Sequence, residues 1–231
     1  MNLNSRIKFY CFAFILIFKG ICIAQINDSM LEINGGKRLP KNQVLGTYAI
    51  GYTLPIATGD NFVGKGLEGK GGYSVDAQLF VFKHFFISGT FGVNYFDVKN
   101  KEIIGNYYKA KEGHQYLGLG YEFVLATNFR LGFSTALFGK SQFINTSETN
   151  NRVAFQRDTG RIRCYELYFD YMLNKIIALH LNAAYRNDRM DIKTASEIQP
   201  LFDNAGFYTV TFGLRLYFGN KDVFSGIKSA K

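Results

Sequence analysis

The feature that most constrains this chain is an alternation of apolar and polar residues, clearest in FYTVTFGLRLYF at positions 207–218. From Tyr208 to Phe218 every second residue is apolar, and the residues between them are Thr, Gly, Arg or Tyr. A period of two predicts a β-strand with one apolar and one polar face. The apolar face would meet another sheet in a soluble sandwich, whereas it would meet lipid in a membrane barrel.

The same alternation recurs in seven earlier segments, which brings the number of predicted strands to eight. These segments cover residues 47–54, 73–82, 85–95, 117–123, 129–137, 164–171 and 177–186. Their connections alternate strictly between tight turns and long polar segments. The tight turns are 83–84, 126–128 and 173–175, and the long segments are 55–71, 97–113, 141–160 and 187–205.

An even strand count with short turns at one end and long loops at the other is typical of outer-membrane barrels. The sequence therefore predicts an all-β fold, an eight-stranded antiparallel up-and-down transmembrane β-barrel over residues 44–218. A soluble lipocalin-like barrel or a sandwich is the alternative. Beyond residue 24 no window of 18 apolar residues suggests a membrane-spanning helix.

The N-terminus has the pattern of a secretory signal peptide over residues 1–24. Arg6 and Lys8 precede an apolar run from Phe9 to Phe18, and cleavage is expected after Ala24. Lys19 interrupts the run too early for a membrane anchor, and the context of Cys22 is poor for lipidation. We expect residues 25–43 to form a periplasmic segment and residues 219–231 a short C-terminal tail.

Removal of the signal changes both the charge and the cysteine count. Three basic residues and no acid leave with it, so the formal net charge falls from +9 to +6. Cys11 and Cys22 also leave, so Cys164 cannot form an intramolecular disulfide. Basic clusters with interleaved aromatic residues are not evident, and we expect no nucleic-acid partner.

The inward faces of the predicted strands carry charges of both signs. Eight strands leave an interior just wide enough for side chains, where unpaired charges would be costly. We therefore expect paired packing and not a water-filled bore. The inward acids are Asp76, Glu122, Glu166 and Asp170, and the inward bases are Arg130, Arg186, Arg215 and His180.

Four of these side chains are predicted to form a charge cluster at the short-turn end of the lumen. Glu122 and Asp170 would flank Arg130, and Arg215 would reach across from the last strand. Each guanidinium can bind carboxylate oxygens through two parallel hydrogen bonds. The cluster would plug the barrel.

Other candidate sites have weak sequence support. Gly64, Gly66 and Gly69 have the G-x-G-x-x-G spacing, but the following residues predict a strand and not a helix, so a flexible loop without a cofactor is expected. His114, with Glu112 and Tyr116 beside it, is placed at the extracellular rim, where it could belong to a hydrolase, although no catalytic triad is evident.

Further acids and histidines are assigned structural roles. Loop acids such as Asp188 and Asp191 could bind calcium, but a solvated loop is the default, and we assign no metal site or catalytic residue. We place His84 in a tight turn and expect His180, beside Asn182 on the lumen face, to be hydrogen-bonded filler.

The signal peptide, the eight amphipathic strands, the loop alternation and the closing LRLYF resemble the outer membrane protein A-type β-barrel superfamily, including the PorT-type barrels. The resemblance implies a porin-like barrel of the bacterial outer membrane, in contact with its lipid and inserted from the periplasm by the barrel assembly machinery. This chain departs from the family because GNKDVFSGIKSAK follows Phe218, and no peptidoglycan-binding domain is seen after it.

We expect a non-enzymatic barrel with a packed lumen and a structural or surface-interaction role. The sequence does not name its extracellular partner. A narrow channel or small-solute porin is one alternative, and a barrel hydrolase active at the rim is another.

Overall fold

Strands account for most of the computed structural model, which describes residues 44–149 and 152–229. They are β1 (Gly46–Ala57), β2 (Leu67–Phe82), β3 (Phe85–Val98), β4 (Lys109–Ala126), β5 (Phe129–Thr149), β6 (Arg152–Arg161), β7 (Cys164–Met172), β8 (Ile177–Met190) and β9 (Asn204–Phe218). The predicted signal peptide 1–24 and the segment 25–43 lie outside the described residues.

These strands close into one ring. Each pairs antiparallel with its neighbours, and β1 pairs with β9 from Gly46↔Phe218 to Ala57↔Phe207. β6 and β7 together occupy one strand position in the ring, because both pair with β5 and β8 and only two residues separate them. We call each strand position of the ring a course. The ring therefore has eight courses, and the predicted eight-stranded up-and-down barrel is confirmed.

The outer surface of the ring is apolar. Large aliphatic and aromatic side chains point outward from every course and are between about one third and three quarters exposed, with Leu181 at 40% and Leu214 at 46%. Tyr165, Tyr185 and Tyr208 are in register across three neighbouring courses. A continuous apolar band bounded by aromatic residues is typical of a barrel surrounded by lipid. The apolar face of the alternating strands therefore meets lipid and not a second sheet.

The predicted extent of the long connections was wrong. β5 continues to Thr149 and β6 begins at Arg152, so most of residues 141–160 forms a hairpin. β4 likewise begins at Lys109 and β8 continues to Met190. Beyond the lipid the outward face no longer needs to be apolar, so the hydrophobic alternation fades although the strand continues.

Four short helices complete the described part of the chain. They are α1 (Phe62–Gly66), α2 (Lys101–Ile104), α3 (Gln199–Phe202) and α4 (Val223–Ser229). None of the described helices is long and apolar enough to cross a membrane. Gly64 and Gly66 lie in α1 and Gly69 lies in β2, so the loop expected at the G-x-G-x-x-G spacing is replaced by regular structure.

The first two of these helices help to cap the barrel with an apolar cluster at the end that carries the long connections. Phe62 of α1 packs edge-on against Phe143 of β5, with 5.5 Å between the ring centroids, and Phe96 packs against Phe207 at 5.9 Å. The cluster, which we call the apolar cap, consists of Phe62, Val63, Leu67, Phe96, Ile104, Ala110, Phe143, Met190, Ala205 and Phe207.

The tail after Phe218 folds back onto the short-turn end. The Asp222 carboxylate accepts hydrogen bonds from the backbone N–H of Lys83 at 2.8 Å and of Ser225 at 2.6 Å, and Phe224 packs against Phe82. Burial alone would raise the pKa of the Asp222 carboxyl, but these backbone donors hold it below its ordinary value. The tail thus fastens the turn between β2 and β3, where His84 lies as predicted.

Arginine on the outward face should impair assembly. Replacing Leu181 or Leu214 by Arg is expected to cost roughly 2 to 4 kcal/mol, because the charge would lie in hydrocarbon. The measurement is the yield of folded barrel, taken from gel mobility with and without boiling in detergent. The control is Gln156→Arg, an exposed position on β6 in the extended hairpin. Equal yields for all three variants would contradict a lipid-facing assignment.

Candidate functional site in the barrel lumen

Charged side chains fill the lower part of the lumen, towards the short turns. Arg130 Nη1 lies 2.6 Å from Glu122 Oε1, and Arg215 Nη1 lies 3.1 Å from Asp170 Oδ2. The Tyr217 hydroxyl lies 2.5 Å from Asp170 Oδ2 and 3.4 Å from Glu122 Oε2, so it connects the two ion pairs. The structure thus places all four residues of the predicted charge cluster in one network, which we call the lower cluster.

The arrangement within the lower cluster differs from the expected one. Asp170 is the register partner of Arg130 on the neighbouring strand, but its ion pair is with Arg215, and its other oxygen lies 2.6 Å from His180 Nδ1. Arg215 also reaches Asp76 at 3.1 Å. The Arg215 guanidinium is 1% exposed and Asp170 0%, so these charges are removed from bulk water.

Aromatic residues and hydroxyl donors fill the space around these ions. The Arg215 guanidinium lies 4.0 Å from the centre of the Tyr168 ring, and that of Arg130 lies 4.6 Å from the centre of the Tyr217 ring. The Tyr168 hydroxyl donates a hydrogen bond of 3.0 Å to Glu122. Cation–π contacts strengthen when they are desolvated, so the rings stabilise the guanidiniums as well as fill volume.

A second charged group lies higher in the barrel, directly below the apolar cap. Arg186 binds Glu112 at 2.9 Å and also forms an ion pair with Asp188. His114 Nδ1 lies 3.0 Å from Glu112 Oε2, and the Asn94 amide donates to the same oxygen at 2.8 Å. We call this group the upper cluster.

The upper cluster corrects two predictions. His114 does not lie at the rim but inside β4, where it is 7% exposed and covered by the cap. Asp188 is not in a solvated loop with Asp191: it is buried on β8, whereas Asp191 is exposed. Both errors arise because the predicted strands were too short at the long-connection end: the fourth began at 117 and the seventh ended at 186, whereas β4 begins at Lys109 and β8 ends at Met190.

Between the two clusters the lumen is lined by hydroxyl and amide groups. Glu166 accepts hydrogen bonds from Tyr116 at 2.5 Å, from Ser134 at 2.6 Å and from Asn182 at 3.3 Å, and Cys164 is buried beside Tyr116. A cavity of about 20 Å³ remains in this layer. That volume accommodates about one water molecule.

The predicted balance of charge in the lumen was wrong. All eight predicted inward charges do point inward, but Glu112 and Asp188 join them, which makes six carboxyls against three guanidiniums among the described lumen residues. The two-residue alternation could have identified both residues. Glu112 is an even number of residues from Glu122 on β4, and Asp188 is an even number from His180 on β8, so each pair points to the same side. Tyrosine, serine and asparagine donors offset the excess of acid.

No protein-family model and no curated protein matches this chain. Its structure is similar to that of OprG from Pseudomonas aeruginosa, an outer membrane protein, with 16% identity, a TM-score of 0.49, and coverage of 77% of this chain and 98% of that one. It is also similar to the attachment invasion locus protein Ail of Yersinia pestis, with 11% identity, a TM-score of 0.45, and coverage of 75% and 97%. Neisserial surface protein A gives 8% identity, a TM-score of 0.46, and coverage of 75% and 97%.

Removing one arginine of the lower cluster should destabilise the barrel strongly. Arg130→Ala leaves the buried Glu122 without its cation, and breaking a buried pair on one side costs roughly 3 to 5 kcal/mol. The free energy of unfolding by urea in lipid vesicles measures the effect. Arg157→Ala, which removes an exposed arginine, is the matched control.

A second variant identifies the cause of that loss. The double replacement Arg130→Ala with Glu122→Gln removes the stranded charge and should recover part of the stability. If Arg130→Ala costs no more than Arg157→Ala, or if the double variant recovers nothing, the ion pair is not what stabilises this layer.

Proposed function

We propose that this chain is a non-enzymatic barrel of the bacterial outer membrane, sealed along its lumen, that acts as a structural or surface-interaction protein. In this proposal the short turns and the tail face the periplasm, and the long connections face outward. The observation that carries the proposal is the filling of the lumen. Any interaction would then be made from the outside of the barrel or from its long-loop end.

Three successive layers argue against conduction. The apolar cap excludes ions at the outer end, the upper cluster binds Arg186 between two carboxylates, and the lower cluster crosses the barrel near the short turns. A cavity between the clusters has a volume of about 20 Å³. A solute would have to displace all three layers, which makes a porin the weaker candidate.

A rim hydrolase is also the weaker candidate, although one of its requirements is present. His114 does have an acid partner in Glu112, and Ser141 is the register partner of His114 on β5. However, Glu112 is 0% and Ser141 1% exposed, and the apolar cap covers them. A catalytic group must be able to reach its substrate, and this pair is better explained as part of the charge network that holds Arg186.

Conductance in planar bilayers tests the sealed lumen directly. The unmodified barrel should pass no steady current, and the variant with both Arg130→Ala and Arg215→Ala should pass none either, because the upper cluster and the apolar cap still fill the lumen. The double variant Lys109→Ala with Lys111→Ala, which removes two exposed cations from β4, is the control. Steady conductance in the unmodified barrel would favour a channel, and steady current in the lumen variant but not in the control would contradict a seal made of three independent layers.

Labelling on intact cells tests the orientation. An epitope tag inserted at Asn150, between β5 and β6, should be accessible to antibody from outside. A tag placed after Lys231 should become accessible only after the outer membrane is permeabilised. Both chain ends of an even-stranded barrel lie on one side, so the reverse labelling pattern would invert the topology.

A further inference from the structure

The barrel wall carries a row of exposed basic side chains in direct register. Lys140 of β5 is the cross-strand partner of Arg161 of β6, and Arg161 is the partner of Arg189 of β8. All three point outward and are exposed, and Arg163 lies at the next outward position of the same course. We call Lys140, Arg161 and Arg189 the basic row.

Such a row is unfavourable on its own. Like charges directly opposite each other on a sheet destabilise the pairing, and here two successive pairs are of this kind. Among the described residues, no carboxylate forms an ion pair with any of the three side chains or with Arg163. An anion supplied from outside would remove the repulsion.

An apolar groove adjoins the basic row. The ladder of β5 with β7 ends at Thr135, its ladder with β6 starts at Lys140, and a bulge in β5 interrupts its pairing with β4. This irregularity opens a groove of about 1060 Å³ in the outer wall. Its apolar lining includes Leu117, Leu137, Phe138 and Ile162, its basic lining is the basic row with Arg163, and no acid lines it.

The height of the groove matches the boundary of a membrane. Tyr165 and Tyr185 are register partners at the edge of the apolar band, and they lie four residues from Arg161 and Arg189 respectively. At the usual rise and tilt of barrel strands, four residues correspond to about 10 Å. Tyrosine side chains lie at the level of lipid headgroups. The basic row is therefore at the outer edge of the headgroup layer, with the groove leading down towards the acyl chains.

We propose that this groove binds an anionic lipid of the outward leaflet, with a phosphorylated headgroup on the basic row and an acyl chain against Leu137 and Phe138. Neighbouring strands are about 4.8 Å apart, so the row spans roughly 10 Å and suits a headgroup with more than one negative charge. The proposal rests on the orientation proposed above, with the long connections facing outward, but not on the sealed lumen, so it can fail while the lumen proposal stands.

The test uses a fluorescent reporter in the groove. The chain contains no Trp, so Phe138→Trp, at a side chain that is 74% exposed, introduces a single emitter. The reporter protein is reconstituted in phosphatidylcholine bilayers that contain either brominated phosphatidic acid or brominated phosphatidylcholine at the same mole fraction. Quenching gives the affinity of one lipid relative to the other.

Brominated phosphatidic acid should quench the reporter with at least about tenfold higher relative affinity, because each basic side chain near an anionic surface contributes about fivefold. When Lys140→Gln, Arg161→Gln and Arg189→Gln are added to the reporter protein, the ratio of the affinity for phosphatidic acid to that for phosphatidylcholine should fall close to one. The matched control Lys109→Gln, Lys111→Gln and Arg157→Gln removes the same charge from exposed positions outside the row and should leave the ratio unchanged. Arg161→Gln alone should lower this affinity ratio about fivefold. It replaces the triple variant in the test if the triple variant fails to assemble.

Three results would overturn the proposal. The first is equal quenching by the two lipids in the reporter protein. The second is loss of the preference on addition of millimolar inorganic phosphate, which would indicate a site for a free anion. The third is displacement of the lipid by a soluble oligoglutamate peptide, which would indicate an acidic protein partner. Gel mobility before and after boiling verifies that each variant is folded.

Discussion

The structure depends on closure of the backbone hydrogen-bond ring by β1 and β9. Their ladder runs over twelve register pairs, from Gly46↔Phe218 to Ala57↔Phe207. In a membrane each unpaired peptide group costs several kcal/mol, so the sheet cannot leave an edge open. Closure with eight courses then fixes the bore to a width that side chains must fill. The charge clusters of the lumen and the apolar exterior both follow from this constraint.

The sequence predicted the fold well because a membrane barrel imposes one rule on every strand. Within the lipid the outward residue must be apolar. The alternating positions that include Leu181 and Leu214 could therefore be assigned to the outward faces of β8 and β9, and the positions between them to the inward faces. Above the lipid that rule no longer applies. β5 therefore extends to Thr149 without an apolar alternation to reveal it, and His114 and Asp188 were assigned to the wrong environment.

Partner choice inside the lumen was less predictable than position. The alternation placed Arg130, Asp170 and Arg215 on the inward face, and their distance from the short turns placed them in the same layer. Strand stagger decides which groups meet, and a side chain as long as arginine can reach several carboxylates. Asp170 thus forms its ion pair with Arg215 and not with its register partner Arg130. Tyr217, inward but not counted among the charges, connects the two ion pairs. The composition of the cluster follows from the sequence, whereas its connectivity depends on three-dimensional geometry.

The two ends of the lumen are closed by different chemistry, and this difference bears on where the protein can act. Near the short turns, ion pairs and tyrosines fill the bore, whereas the end that carries the long connections is closed by Phe62, Phe143 and Phe207 from segments distant in sequence. The wall of the barrel, in contrast, is irregular where the ladders of β5 are interrupted, and a groove lies there. A barrel with a filled interior can present a binding surface only on its exterior and its long connections. The exposed like-charged side chains beside the groove, which contribute nothing to closing the ring, are therefore better explained by recognition than by stability.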